Sequence, residues 1–295
     1  MRSIPLLPRV ILEPLARMAL LEDLGRAGDL TTDAIVPANA TAEVNLISRQ
    51  AGVVAGLDLA HLVFTLVDPA IEIETRMPDG SRLTQGDVIA TLRGPARGLL
   101  TAERTALNFL CHLSGVATAT ATIVESIRGH KASVACTRKT LPGLRAVQKY
   151  ALRVGGGSNH RFGLDDAMLI KDNHVAIAGG IRQALERAKA NAGHMIKIEL
   201  EVDTLDQLVE ALEIGVDAVL LDNMTPQMLT EAVRMIDGRA IAEASGRITP
   251  ATAPAIAASG VDLISVGWVT HSSTTLDIGL DYGGLPREWR QTGRV

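Results

Sequence analysis

The residues best suited to chemistry lie between Cys136 and His174, in the stretch CTRKTLPGLRAVQKYALRVGGGSNHRFGLDDAMLIKDNH. It holds Arg138, Lys139, Arg145, Lys149, Arg153, His160, Arg161 and Lys171, in a chain whose formal net charge is -4. Cations concentrated within an acidic protein point to a specific anionic ligand rather than to a general attraction for polyanions. The stretch is also apolar and Gly-bearing, unlike a disordered basic tail. Arginine offers a planar fork that matches carboxylates, and lysine a compact charge suited to phosphate. Arg138 and Arg161 therefore suit carboxylate recognition, and Lys139 and Lys171 suit phosphate.

Those residues need elements to hold them, and the pattern from Ser133 onward supplies them. Short apolar runs recur in ASVACT, AMLIKD, IKIELEVD, AVLLDN, AIAEASG and LISVGW. Several are separated by helical stretches such as IRQALERAKANAG, LDQLVEALEIG, TPQMLTEAVRMIDG and TPATAPAIAASG. Nearly continuous apolar strands alternating with helices predict a parallel sheet. Six such strands predict an incomplete β/α barrel, with a doubly wound open sheet as the alternative. No GxGxxG opens a helix after the first strand, which counts against dinucleotide binding. GGGSNH follows a helix, so its glycines are expected to cap that helix.

In β/α barrels the active site lies at the C-terminal ends of the strands. The first strand ends in Thr137, Arg138 and Lys139, and the second in Lys171, Asp172 and Asn173. The third carries Glu199, Glu201 and Asp203 at alternate positions, hence on one face. The fourth ends in Asp222 and Asn223, the fifth in Glu243, Ala244, Ser245 and Gly246, and the sixth in Ser265, Val266 and Gly267. The last two are placed where barrels build a phosphate site from backbone N–H groups. Glu201 and Asp222 could hold Mg²⁺, a hard ion that often joins one or two carboxylates to substrate phosphates. The residues alone thus suggest a phosphorylated substrate, Mg²⁺ and a small carboxylate.

The first part of the chain reads differently. Ile11 to Leu24 is an amphipathic helix ending at Gly25, and EDLGRAGDLTTDAIVP is a turn with a new N-cap. From Thr41 to Arg93 the period is two, as in half-buried strands, with turns at Asp79-Gly80 and Gln85-Gly86-Asp87. TAERTALNFLCHLSGVATATATIVESIRG follows as a long helix with Thr101 as its N-cap. Arg104 falls opposite the Ala106, Leu110, Leu113 and Ala117 stripe and is expected to project outward. After Trp268 the pattern fades, and part of the tail is expected to return to the N-terminal sheet. The expected organisation is a sandwich domain at 1–115, joined by the tail 270–295, and a barrel at 116–269.

Composition narrows the class. Aromatics are only 2% of the chain, which argues against a single-strand nucleic-acid binder that works by base stacking. Two cysteines, Cys111 and Cys136, make no disulfide framework in 295 residues. The N-terminus is interrupted by Pro5, Pro8, Pro14 and charges, and no run reaches the roughly 20 apolar residues of a membrane span. A cytoplasmic protein without membrane contact is expected.

GDLTTDAIVP, TAERTALNFLCHLSGVAT, TRKTLPGLR, GGGSNHRFGLDDAMLIKDNH, IELEVDT, LLDNM, EASG and ISVGWVTHS closely resemble, in order, the quinolinate phosphoribosyltransferase family. The resemblance implies an N-terminal α/β sandwich and a partial C-terminal β/α barrel. It also implies transfer of phosphoribose from phosphoribosyl pyrophosphate to quinolinate with loss of CO₂, giving nicotinate mononucleotide and pyrophosphate. Quinolinate would be held by Arg138, His160 and Arg161, with Lys139 and Lys171 nearby. Arg104 would come from a second subunit of a homodimer, or of a hexamer, to complete the site. Glu201 and Asp222 match the family's carboxylates near the ribose and Mg²⁺, and Ser245-Gly246 and Val266-Gly267 its 5′-phosphate loops. Arg247 and Trp268 depart from the family pattern, which has smaller residues there.

Two alternatives stay open. Lysines among arginines at strand ends could serve a Schiff-base aldolase. Proteins associated with molybdate transport share the implied fold and much of the motif set. Lys149 and Arg153, on the helix between the first two barrel strands, are expected to be surface charge, and Arg145 is left open.

Overall fold

The structure is a computed structural model that describes residues 4–282. Pro8 precedes α1 (Arg9–Leu24), which buries Leu12, Ala16 and Leu20 along one stripe and stops at Gly25, at φ 55°. Asp29 then caps α2 (Leu30–Ile35), its carboxylate accepting from the Thr32 N–H at 2.9 Å. Next come β1 (Thr41–Ser48), β2 (Gly52–Val53), the apolar α3 (Leu57–Val67), β3 (Glu72–Thr75), β4 (Arg82–Leu83) and β5 (Val88–Pro95). The long helix α4 spans Ala96–Ser126.

From there strands and helices alternate: β6 (Ser133–Ala135), α5 (Arg145–Val154), β7 (Met168–Ile170), α6 (Asp172–Ala178), α7 (Ile181–Asn191) and β8 (Ile198–Val202). They continue with α8 (Leu205–Ile214), β9 (Ala218–Asp222), α9 (Pro226–Ile236), β10 (Ile241–Ser245), α10 (Ala253–Ala258), β11 (Leu263–Ser265), α11 (Trp268–His271) and β12 (Ile278–Tyr282). Helices α8 and α9 start where Thr204 and Thr225 cap them through side-chain oxygens.

Two compact units divide the chain. The first takes residues 1–119, 142–155 and 273–295, and the second 120–141 and 156–272. In the first unit an antiparallel sheet runs in the order β12-β1-β5-β3. The tail does return to this sheet, through β12 on β1; its residues beyond 282 lie outside the described region. Close packing holds it there. A Cβ on Gly115 of α4 would sit 2.2 Å from the Thr274 carbonyl oxygen, so glycine lets the returning chain lie against the helix.

Three expectations for this unit need correction. α4 begins five residues before Thr101, whose hydroxyl instead donates to Asp29 at 3.0 Å. By length and composition α4 is also apolar enough to cross a membrane. Its apolar residues, including Leu99, Leu110, Leu113 and Val116, are buried by the fold, as in the core helix of a globular unit. Finally, α5 groups with the first unit, not with the barrel. It buries Val147, Tyr150 and Ala151; Tyr150 donates to Asp79 at 2.8 Å, and Gln148 pairs with His112 at 2.8 Å. Lys149 therefore has no accessible surface, whereas Arg153 and Arg145 are half-buried. A lysine's long aliphatic stem allows such burial, which a charge-based reading of the helix overlooks.

In the second unit six parallel strands run in the order β6-β11-β10-β9-β8-β7. Each strand lies beside the next in sequence except at β6 and β7, while β6 and β11, first and last, are paired. This is a barrel opened at one seam. Across that seam the described residues have a single bridge, from Ala135 to Ser158.

Candidate active site

The strand register puts the polar strand-end residues on one face. Neighbours across parallel strands share a face, and the pairings link Glu201, Leu220, Glu243 and Leu263 in one row. Two residues further along each strand, Asp222 pairs with Ser245, and Ser265 pairs with Ala135 of β6. The alternate residues Leu200, Val202, Val219, Leu221, Ala242, Ala244 and Ile264 are apolar and buried on the other face. That is the two-layer logic of a β/α barrel, with helices outside and chemistry within.

Lys171, just past β7, donates to Glu201 at 2.9 Å. Asp222 accepts from Asn223 at 2.6 Å. Two carboxylates on adjacent strands, one already beside a cation, form a hard-oxygen donor set that fits Mg²⁺ shared with substrate phosphates.

On the other wall, Thr137 accepts from the Lys139 N–H at 2.9 Å, and Thr270 donates to the Lys139 carbonyl at 2.7 Å, fixing the turn after β6. Lys139 lies against Gly267, where an added Cβ would be 2.8 Å from its side chain. Gly246, at φ 113°, has no room for a Cβ either, since Asn223 would be 2.4 Å away. Glycine at these two positions lets the backbone after β10 and β11 pack closely against Asn223 and Lys139. The expected departures are absorbed locally. Arg247 adopts φ 44°, a conformation glycine favours, and Trp268 donates from its ring nitrogen to the Ile248 carbonyl at 2.8 Å.

Arg138 and Arg161 repel one another. Burial first, then the Arg138 charge, pushes the Arg161 guanidinium below its ordinary pKa. Arg161 donates to the Ala167 carbonyl at 3.1 Å, while the Nε of Arg138 is buried without a hydrogen-bond partner. A partly buried arginine pair is relieved by a multiply charged anion.

His160 stands in the seam and points inward. Its Nδ1 accepts from the Arg161 N–H at 2.7 Å, so Nε2 carries the proton that it donates to Glu199 at 2.8 Å. Glu243 Oε1 lies 3.7 Å from the same Nε2. Burial, and then the Glu199 charge, raises the Glu243 carboxyl to about 7. His160, Glu199 and Glu243 offer ligand atoms within 4.8 Å of one another. Sequence reading placed Glu199 on one face with Glu201 and Asp203 by alternation and Glu243 at a strand end, yet gave no sign that His160 joins them.

A cavity of about 400 Å³ lies beside the seam, walled by Leu164, Met168, Ile170 and Ala184, with Arg161 and His174 on its lining. It shares Arg161 with the strand-end set. Arg104 belongs to the first unit and is exposed on α4, as expected from its position opposite the apolar stripe.

An open-seamed barrel with cations and carboxylates facing each other across its strand ends defines an enzyme for anionic, phosphorylated substrates. The chain belongs to the quinolinate phosphoribosyltransferase family. Its residues 29–114 match the family's N-terminal domain and residues 116–281 its C-terminal domain. It is 47% identical over 270 residues to nicotinate-nucleotide pyrophosphorylase [carboxylating] of Mycobacterium leprae, covering 90% of this chain and 95% of that one. It is 41% identical over 270 residues to the probable enzyme of the same name from Bacillus subtilis, covering 92% and 93%. Among solved structures, NadC from Streptococcus pyogenes superposes with TM-score 0.90 at 41% identity, covering 94% of this chain and 99% of that one. Nicotinate-nucleotide pyrophosphorylase from Francisella tularensis does so with TM-score 0.90 at 39%, covering 95% and 99%. The expected sandwich and incomplete barrel are thus both present.

Proposed function

We propose that this protein joins quinolinate to phosphoribosyl pyrophosphate and releases CO₂, giving nicotinate mononucleotide and pyrophosphate. The family carries the reaction. The observation that carries it to this site is the partly buried Arg138 and Arg161 pair, with the Arg138 Nε unpartnered, beside a wall of carboxylates and lysine.

Arg138 and Arg161 grip the two carboxylates of quinolinate, and Thr137 orients the turn that carries Arg138. Held this way, the pyridine nitrogen faces the ribose C1 and forms the C–N bond as the C–O bond to pyrophosphate breaks. Positive charge accumulates on the ribose, where Glu201 and Asp222 oppose it. Lys139 and Lys171 neutralise the departing pyrophosphate. Glu201 and Asp222 are also the residues that would hold Mg²⁺, which when bound offsets phosphate charge. The backbone at Ser245-Gly246 and Ser265-Val266-Gly267 cradles the 5′-phosphate. In the product the ring nitrogen is cationic, so the 2-carboxylate leaves as CO₂, the bonding pair stays on the ring carbon, and a proton replaces it. No protein nucleophile is required.

His160 joins Arg138 and Arg161 in holding quinolinate, and its ring also accepts the Arg161 N–H, so it supports that residue as well. Arg104, exposed on α4, completes the site of a second subunit in a homodimer or a hexamer. A cytoplasmic location belongs to the same proposal and is supported by Cys111 and Cys136, which are not joined in a disulfide. Product analysis tests the reading. Nicotinate mononucleotide, pyrophosphate and CO₂ should form in equal amounts from quinolinate, phosphoribosyl pyrophosphate and Mg²⁺. Pyrophosphate release without CO₂ would sink it.

A further inference from the structure

We propose that Glu199 is a positioning residue for quinolinate: through His160 it clamps the seam segment of the barrel and so aims Arg161. The inference rests on the reaction proposed above. A closed barrel holds each strand by hydrogen bonds to both neighbours. Here β6 and β7 lack that pairing, and beyond the Ala135–Ser158 bridge the segment carrying His160 and Arg161 needs other restraints.

His160 provides them. Its backbone N–H donates to the Cys136 sulfur at 3.3 Å, tying the segment to the strand on one side of the seam. Its ring donates to Glu199 of β8 at 2.8 Å, reaching past β7 into the interior. The other ring nitrogen takes the Arg161 N–H at 2.7 Å, so the backbone of Arg161 is fixed to the same imidazole. The chain Glu199–His160–Arg161 thus replaces the missing strand pairing. Glu199 is buried and its second oxygen has no hydrogen-bond partner. A buried carboxylate is costly unless its charge is used, and the imidazole N–H is the donor it faces. Glu199 itself belongs to the barrel interior and touches no substrate in this account.

The test separates KM from kcat. Glu199→Ala should raise the KM for quinolinate about tenfold or more, because a displacement of about 1 Å remote from the chemistry suffices for such losses. The KM for phosphoribosyl pyrophosphate should change less than about twofold, since Glu199 acts through His160 on the quinolinate side of the site. Glu199→Gln keeps an oxygen for the His160 N–H and should restore most of the affinity. Should the alanine variant not fold, Glu199→Asp carries the test, because the shorter side chain loosens the clamp and should raise the same KM. Unchanged quinolinate KM in a folded Ala or Asp variant overturns the proposal. Equal losses for both substrates, tracking a lower Tm, also overturn it, since they show a merely structural role. Elemental analysis of the purified protein adds a further check: one stoichiometric Zn²⁺ or Mn²⁺ lost in Glu199→Gln would show that the three residues are a metal site instead. If the unmodified protein itself does not turn over quinolinate, the reaction falls first and the inference with it; in every other negative outcome only the inference falls.

Discussion

In the proposed reaction, Arg138 and Arg161 are the pair on which substrate choice turns. Both are partly buried, they repel each other, and one keeps a buried Nε without a hydrogen-bond partner. A dicarboxylate relieves that repulsion, and a monocarboxylate relieves less of it. Arg138→Ala or Arg161→Ala should each lower kcat/KM for quinolinate by at least about 100-fold, the scale of a lost charged hydrogen-bonded contact, about 3 kcal/mol. Circular dichroism should show both variants folded, and near-normal turnover by either would remove it from the site. Glu243 makes a second prediction at this scale. Its folded carboxyl titrates at about 7, above the ordinary 4.5. The native state therefore binds a proton more tightly than the unfolded chain, so stability falls as pH rises through this window. The loss is of the order of a few kcal/mol and is complete above about pH 7. Glu243→Gln should flatten the Tm-against-pH curve between pH 4.5 and 7, and an unchanged slope would contradict the assignment.

At the scale of elements, Asp79 is the group that joins two helices of the first unit. Its carboxylate accepts from the Gly56 N–H at 2.9 Å, the Leu57 N–H at 3.1 Å and the Tyr150 hydroxyl at 2.8 Å. It thereby caps α3 and anchors α5. Asp79→Ala would strand these donors, and urea unfolding should show a loss of about 2–4 kcal/mol, the sum of a cap and an unsatisfied buried group. The barrel strands were legible in the sequence because buried parallel strands are short, almost continuous apolar runs, and all six fall within ASVACT, AMLIKD, IKIELEVD, AVLLDN, AIAEASG and LISVGW. The allegiance of α5 was not. Lys149 reads as a surface charge at helical spacing, and nothing local tells that α5 packs on the first unit. Nor could the sequence bring His160, Glu199 and Glu243 together. They come from three separate segments that meet only because the strand order closes β6 on β11 and leaves the seam for His160 to fill.

For the whole molecule, family membership covers residues of both units, and the proposed sharing of sites between subunits has a direct test. Arg104→Ala and Lys171→Ala should each be inactive alone. In a shared-site dimer, mixing them places one intact site in every heterodimer, and random exchange should recover about a quarter of normal activity. No recovery after demonstrated subunit exchange would show that Arg104 does not act in trans.

The most direct test of the account compares two acceptors on the same preparation. With phosphoribosyl pyrophosphate and Mg²⁺ present, quinolinate and nicotinate are offered separately, and pyrophosphate and CO₂ are both measured. The paired arginines predict turnover of quinolinate with one CO₂ per pyrophosphate, and turnover of nicotinate at least about 100-fold slower, since nicotinate lacks the 2-carboxylate that the site grips. Comparable turnover of nicotinate, or none of quinolinate, would contradict the account.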